Sequence, residues 1–177
     1  LDRRVLELAI NTLAACPNMK LNLNVSMETV KDPVWADGYL AVMRANETLA
    51  RRITVELTET QVIDAIEASI DFVTEIKKLG ASFGIDDFGA GYTSFRNLKA
   101  LDIDILKIDG SFVTGVASSR ENQLFVRTLL DLARNFGMKT VAEWVDNEAD
   151  AMLLKGLGVD FLQGYLIGKP ETAPAWL

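Results

Sequence analysis

Polar side chains recur at one kind of position in this sequence, at or near the carboxyl end of short apolar stretches. In parallel α/β proteins this edge of the sheet is where ligands bind. A single polar residue there is explained by capping of the next helix, but six stretches ending in this way indicate a functional site. The residues are Asn24, Glu56 with Glu59 after it, Asp86 with Asp87, Lys107, Glu143 and Gln163.

Most of these side chains are hard oxygen ligands, which Mg²⁺ and Mn²⁺ prefer. Carboxylates gathered at one edge repel each other unless cations neutralise them. The adjacent Asp86 and Asp87 are expected to serve two ions. Two ions about 4 Å apart clamp the attacking and leaving oxygens of an in-line displacement at phosphorus. The candidate metal ligands are Asn24, Glu56, Asp86, Asp87 and Glu143.

Lys107 has three interpretations that its position alone does not separate. Its ammonium group can orient or deprotonate a catalytic water. It can instead bind a substrate phosphate as a point charge, or balance the charge of the acidic residues around it.

Two glycines follow the acidic pair, in the segment Asp86-Asp87-Phe88-Gly89-Ala90-Gly91-Tyr92-Thr93-Ser94. They predict a mobile or tightly turned loop, and Ser94 or Thr93 is expected to cap the following helix. Beside a pair of metal ligands, such a loop is expected to couple metal binding to movement.

The composition excludes several classes of chemistry. The chain has 177 residues, a formal net charge of -7, one Cys and no His. A Ser-His-Asp triad, a His general base and a His-ligated zinc are therefore excluded. Cys16 cannot form an internal disulfide, so a reducing cytoplasm is allowed. The acidic balance argues against binding to duplex nucleic acid. No stretch of the sequence is apolar over the length of a membrane span.

Helix and strand patterns alternate along the whole chain. Apolar spacing predicts helices over residues 2–15, 34–46, 61–79, 94–100, 120–136 and 147–157. The first is expected to bury Val5, Leu6, Ala9 and Leu13, and the fifth Phe125, Leu129, Leu132 and Phe136. Short apolar strands are predicted at 21–25, 53–57, 81–85, 103–108, 138–142 and 159–162.

Six strands between helices predict an α/β fold with a parallel sheet covered by helices. Two architectures fit: a modified TIM-type (β/α) barrel with about six of its strands, or an open doubly wound sheet. No G-x-G-x-x-G or Walker motif supports the nucleotide-binding version of the open sheet.

Several long motifs in the same order resemble the EAL-domain cyclic di-GMP phosphodiesterases. Glu56-Leu57-Thr58-Glu59 is similar to the family's E-x-T-E, and Asp86–Ser94 to D-D-F-G-x-G-Y-S-S. The remaining matches are Leu21–Ser26 to the V-N-L-S strand, Leu106–Asp109 to L-K-I-D, Ala142–Asp146 to A-E-G-V-E, and Gln163-Gly164-Tyr165 with Pro170 to Q-G-Y…P.

The resemblance implies a modified barrel that hydrolyses cyclic di-GMP to linear pGpG with Mg²⁺ or Mn²⁺ at a two-metal site, with Ca²⁺ inhibiting. Asn24, Glu56, Asp86, Asp87 and Glu143 would bind the metals. Further implied roles are catalysis by Lys107, Asp87 and Glu59, ligand binding by Gln163, Asp109 and Asp146, and coupling of the site to a homodimer by Phe88, Gly89, Gly91 and Ser94. Glu59 would also anchor the glycine-bearing loop.

The resemblance also bears on the limits of the chain. Residues 1–177 would be an EAL domain truncated at its N-terminus, because the family's Glu-Ala-Leu strand precedes the helix with which this chain starts. GGDEF or sensory domains are expected in the parent protein, and the domain is expected to be cytoplasmic. Two departures from the motifs are Trp144 for a usual Gly and Asp146 for a usual Glu.

Three functions remain open at this point. The first is hydrolysis of cyclic di-GMP, and the second is a catalytically inactive receptor that binds cyclic di-GMP and signals through a partner. Chemistry alone also allows an enolase-like barrel in which Lys107 is a carbon-acid base beside Mg²⁺.

Overall fold

Six strands and the helices between them make up the computed structural model, which describes residues 1–91 and 94–172. The strands are β1 (Leu21–Asn24), β2 (Ile53–Thr58), β3 (Ser82–Phe88), β4 (Ile105–Ile108), β5 (Lys139–Ala142) and β6 (Phe161–Leu162). The helices are α1 (Asp2–Ala15), α2 (Met27–Lys31), α3 (Pro33–Ala45), α4 (Glu47–Ala50), α5 (Glu59–Asp64), α6 (Ile66–Lys78), α7 (Phe95–Leu101), α8 (Gly110–Val113), α9 (Arg120–Phe136) and α10 (Glu148–Leu157), with a 3₁₀ turn at Val116–Ser118.

Local signals fix the ends of the longer helices. The Ser119 hydroxyl accepts a hydrogen bond from the Asn122 amide at the start of α9, and Gly137 ends that helix in the left-handed region at φ 73°. Asn147 caps α10 in the same way, and Gly158 ends it at φ 91°. The predicted bounds of α9 are confirmed, and α10 begins one residue after its predicted cap Asn147, because such caps are local in sequence. The predicted bounds of α1 are confirmed as well.

Two details of the helices differ from the predictions. The helix predicted over residues 61–79 is two helices, since Ala65 leaves the helical region at φ -148° and ψ 55°. The apolar spacing runs across this break, which is why it does not show the interruption. Val5 and Phe136 were expected inside but are 38% and 37% exposed. In α9 the buried face is instead formed by Val126, Leu129, Leu130 and Ala133.

The chain divides into two compact units, and strand β3 contributes to both. The described part of the first unit is residues 1–85 and 94–104. In it β1 and β2 are parallel, and their register places Asn24 opposite Glu56. Its core includes Leu6, Leu13, Met43, Val55 and Ile76, all essentially inaccessible to solvent.

The described part of the second unit is residues 86–91 and 105–172. Parallel pairing joins β4 to β5 and β5 to β6, with Lys107 opposite Val141. Helix α9 packs against β4 and β5, and its Val126 and Ala133 are fully buried, as is Leu154 of α10. Parallel strands covered by helices confirm the predicted α/β class.

In the part of the chain that the structure describes, no helix combines the length and the apolar character that crossing a lipid bilayer requires.

Candidate functional site

Three carboxylates meet at the carboxyl end of strands in the second unit. Asp86 and Asp87 belong to the end of β3, and Glu143 follows β5 directly. One carboxylate oxygen from each lies within 4.8 Å of the other two. We call Asp86, Asp87 and Glu143 the acidic cluster. Its oxygen donors match the preference of Mg²⁺ and Mn²⁺, so the residues present fit the metals that the sequence predicts.

A local backbone feature lets two consecutive residues serve one site. Asp87 has φ 52°, in the left-handed region that Asp tolerates better than most residues with a side chain. In a regular strand, neighbouring side chains point to opposite faces of the sheet. The positive φ breaks that alternation, so the carboxylates of Asp86 and Asp87 both reach the acidic cluster.

Lys107 forms ion pairs with two members of the acidic cluster. Its Nζ lies 2.8 Å from Oδ1 of Asp86 and 2.9 Å from Oε1 of Glu143. The lysine is 3% exposed, so these charges interact with little screening by water. Lys107 therefore balances part of the cluster's charge, and its ammonium group is within reach of a reactant held there.

Burial makes the negative charges of the acidic cluster unfavourable. Desolvation raises the pKa of Glu143 to about 7, even though Lys107 opposes this shift. Desolvation also raises the pKa of Asp87, together with the nearby charges of Asp86 and Asp109. Raised carboxylate pKa values show that further negative charge is unfavourable here, and a divalent cation would remove that penalty.

The three predicted ligand-binding residues have identifiable partners in the second unit. Gln163 donates from Nε2 to Oε1 of Glu143 at 3.3 Å, which places its amide beside the acidic cluster. Asp109 caps α8 by accepting from the Ser111 amide at 2.9 Å. Asp146 accepts from the Tyr165 amide at 3.2 Å. Contact of these residues with a ligand stays a prediction.

The first unit holds the other two predicted metal ligands. Glu56 is 3% exposed, and its Oε1 accepts a hydrogen bond of 2.7 Å from Nδ2 of Asn22. Gly84 gives this side chain room, since a Cβ there would lie 3.2 Å from Cγ of Glu56. Asn24, opposite Glu56 in the sheet register, is exposed.

Sequence reasoning missed Asn22 as the residue that orients Glu56. The signal was present, because Asn22 and Asn24 are two apart on β1 and therefore project from the same face. Glu59, predicted to act in catalysis, is the first residue of α5, lies between the capping-box residues Thr58 and Gln61, and is 2% exposed. Its anchoring role stays a prediction.

The segment Gly89-Ala90-Gly91, which we call the glycine loop, begins beside two stacked phenylalanine rings. Phe88 is buried, and its carbonyl accepts from the Asp109 amide at 3.2 Å. Phe112 and Phe125 stack with ring centroids 3.8 Å apart. A Cβ on Gly89 would lie 2.9 Å from Phe125 and 3.0 Å from Phe112. Ser94 caps α7 through the Asn97 amide, whereas Tyr92 and Thr93 lie outside the described residues.

Replacing Gly89 by Ala is expected to displace this loop. The new methyl group would overlap the stacked rings, and φ 106° is a conformation that residues with a side chain rarely adopt. Together these effects should lower the free energy of unfolding by about 2–4 kcal/mol. Urea denaturation of G89A and the wild type measures the difference.

Gly137→Ala is the matched control for Gly89→Ala. Gly137 has φ 73°, but apart from Gly137 itself and its chain neighbours, no atom of the described residues lies within 4 Å of the point that a Cβ would occupy there. This control should therefore cost only the backbone strain, about 1–2 kcal/mol. Equal losses in the two variants would show that the phenylalanine pair does not hold the loop.

Comparison with known proteins identifies relatives over nearly the whole chain. The profile of the EAL domain family matches residues 1–170. The chain is 33% identical over 174 residues to the probable cyclic di-GMP phosphodiesterase PdeA of Escherichia coli (strain K12). It is 35% identical over 161 residues to the cyclic di-GMP phosphodiesterase PdeF of the same organism. These matches cover 96% and 89% of this chain, but only 24% and 21% of the relatives.

Solved structures show the same architecture. The phosphodiesterase PaMucR in complex with c-di-GMP aligns with a TM-score of 0.89 and 28% identity, over 99% of this chain and 73% of that one. The EAL domain of Mycobacterium smegmatis DcpA aligns with a TM-score of 0.86 and 32% identity, over 96% and 78%. The predicted fold class, a modified TIM-type barrel represented by about six strands, is confirmed by this likeness.

Proposed function

The chain belongs to the EAL domain family, and on that premise we propose that its protein hydrolyses cyclic di-GMP to linear pGpG with Mg²⁺ or Mn²⁺. The observation that carries the proposal is the acidic cluster with Lys107 between two of its carboxylates. The named relatives support the substrate, since PdeA and PdeF are described as cyclic di-GMP phosphodiesterases.

The reaction would hydrolyse one phosphodiester bond and leave a 5′ phosphate and a 3′ hydroxyl group. A water oxygen forms a bond to one phosphorus atom as the bond from that phosphorus to a ribose 3′ oxygen breaks. The water loses a proton, the 3′ oxygen gains one, and the product is a linear dinucleotide with a 5′ phosphate. Divalent ions at such a site supply an activated water and stabilise the charge that develops on the phosphoryl oxygens.

The chain's own residues would position this reaction. We assign metal binding to the acidic cluster of the second unit, and we also assign it to Asn24 and Glu56 of the first unit. Lys107, held by Asp86 and Glu143, would orient the attacking water or accept its proton, with Asp87 beside it. Gln163 would contact the same end of the site through Glu143. Asp109 and Asp146 are proposed to act on the ligand, and Glu59 to anchor the glycine loop.

Assembly is also part of the proposal. Phe88, Gly89, Gly91 and Ser94 would couple metal occupancy to a homodimer, and GGDEF or sensory domains would regulate the parent protein. The chain spans about a fifth to a quarter of the curated relatives named above, which leaves room for such domains in those relatives.

The test is a hydrolysis assay on the purified protein with cyclic di-GMP, in which chromatography resolves linear pGpG. We expect turnover with Mg²⁺ or Mn²⁺, inhibition when Ca²⁺ is added, and none in EDTA. Absence of pGpG at saturating Mg²⁺ and Mn²⁺, in protein shown to be folded, would contradict the proposed activity.

A second candidate function is a receptor that binds cyclic di-GMP without hydrolysing it. It is favoured by the ion pairs of Lys107 with Asp86 and Glu143, which neutralise part of the charge of the acidic cluster. Binding in EDTA, measured by calorimetry, combined with no turnover in Mg²⁺ or Mn²⁺, would support the receptor over the enzyme.

A further inference from the structure

An exposed tryptophan stands next to the acidic cluster. Trp144 follows Glu143 in the chain and is 66% exposed, whereas Glu143 is 5% exposed. Its backbone has φ 54°, a left-handed conformation that is unfavourable for a residue with a bulky side chain. A large apolar side chain that is exposed to solvent on a strained backbone costs free energy. Residues with such strain are concentrated at functional sites.

Hydrogen bonds on both sides fix the backbone of Trp144. The Glu143 amide donates to the Ile108 carbonyl at 3.3 Å, and the Val145 amide donates to the Gln163 carbonyl at 3.0 Å. The first bond joins this segment to the last residue of β4, and the second joins it to the residue that follows β6. The indole is therefore carried by a rigid segment rather than by a free loop.

The indole of Trp144 packs against Gly110. A Cβ on Gly110 would lie 2.5 Å, 2.6 Å and 2.9 Å from Cγ, Cδ1 and Cδ2 of Trp144. Three neighbouring ring atoms at such similar distances place that point over the face of the ring, not at its edge. One indole face thus rests on the Gly110 backbone. Only glycine at position 110 allows this contact.

We infer that the exposed indole of Trp144 is a stacking platform for a guanine base of the substrate, a specificity-determining element of the reaction proposed above. The inference rests on that proposed function. Bases stack on aromatic side chains, and a rigid ring loses little conformational entropy on stacking. Because Trp144 follows Glu143 directly in the chain, a base on the indole would belong to the same substrate as a phosphate at the acidic cluster.

Charge also favours a base as the occupant. The three carboxylates of the acidic cluster lie within 4.8 Å of one another, so the cluster repels anionic groups that approach without a cation. A guanine ring is planar and uncharged, so it can occupy the neighbouring surface without that repulsion. The negative face of the indole ring does not attract a carboxylate or a sulfate.

Steady-state kinetics with cyclic di-GMP test the inference. Trp144→Ala should raise KM about tenfold, from the loss of one base stack, and change kcat less than threefold. Trp144→Phe keeps an aromatic face and should recover most of the affinity. Trp35→Ala is the matched control, since Trp35 is 56% exposed in α3 and should leave both constants unchanged.

A fluorescence titration gives a readout that does not depend on turnover. With W35F and W176F, Trp144 is the only tryptophan of the chain. Its emission should be quenched by linear pGpG and not by ribose 5-phosphate. A KM for W144A within twofold of the wild type, or no quenching by pGpG, would overturn the platform while leaving the phosphodiesterase intact. If the wild type neither binds nor hydrolyses cyclic di-GMP, the proposed function and the platform both fail.

Discussion

Replacing Lys107 by Met is expected to abolish most of the activity and much of the stability. Methionine keeps the length of the side chain but removes the charge that pairs with Asp86 and Glu143 at 2.8 Å and 2.9 Å. Removing one partner of a buried ion pair costs about 3–5 kcal/mol, because the remaining charges lose their compensation. Loss of a positioned proton acceptor lowers kcat by about 10²–10⁴.

Metal titration separates the interpretations of Lys107. If it only balances charge, the variant should bind Mn²⁺ more tightly than the wild type and should recover activity at saturating metal. If it orients or deprotonates the water, kcat should stay low at every metal concentration, which is the result we expect. Urea denaturation in EDTA reports the cost to stability separately.

Lys155→Met is the control for this substitution, because Lys155 is exposed in the last turn of α10. It should change neither kcat nor the urea midpoint. A kcat of K107M within threefold of the wild-type value would show that Lys107 has no catalytic role.

Sequence reasoning was most accurate where the determining contacts are local. The bounds of α1 and the Asn147 cap of α10 follow from apolar spacing and capping within a few residues of the chain. The convergence of Asp86, Asp87 and Glu143 was also predictable, since the carboxyl ends of parallel strands lie at one edge of the sheet.

Contacts between residues distant in sequence could not be read in the same way. The bond from Asn22 to Glu56 joins residues 34 apart and depends on the strand register. Packing of the Trp144 indole on Gly110 requires the positive φ of Trp144 and the missing Cβ of Gly110, which follows the end of β4. Residue spacing places Asn22 on the same strand face as Asn24, but it does not identify the partner, because such pairs form only when tertiary packing brings the segments together.

Replacing Glu143 by Gln is expected to separate activity from stability. Glutamine has nearly the same volume and keeps an oxygen that can accept from Lys107 and Gln163. Because burial raises the pKa of Glu143 to about 7, the fold gains little from its negative charge. Lys107 also keeps its ion pair with Asp86 at 2.8 Å, so the free energy of unfolding should change by less than about 1 kcal/mol. Loss of an anionic ligand should weaken metal binding by more than about 100-fold.

Mn²⁺ titrations followed by calorimetry, together with turnover of cyclic di-GMP, check this expectation. Activity of E143Q should fall by about 10³ at a Mn²⁺ concentration that saturates the wild type, and should rise in part as metal is added. Glu148→Gln is the matched control, since Glu148 is exposed at the start of α10 and should leave both measurements unchanged. Unaltered Mn²⁺ affinity in E143Q would exclude Glu143 as a ligand, and would leave its burial beside Lys107 as a feature of the fold alone.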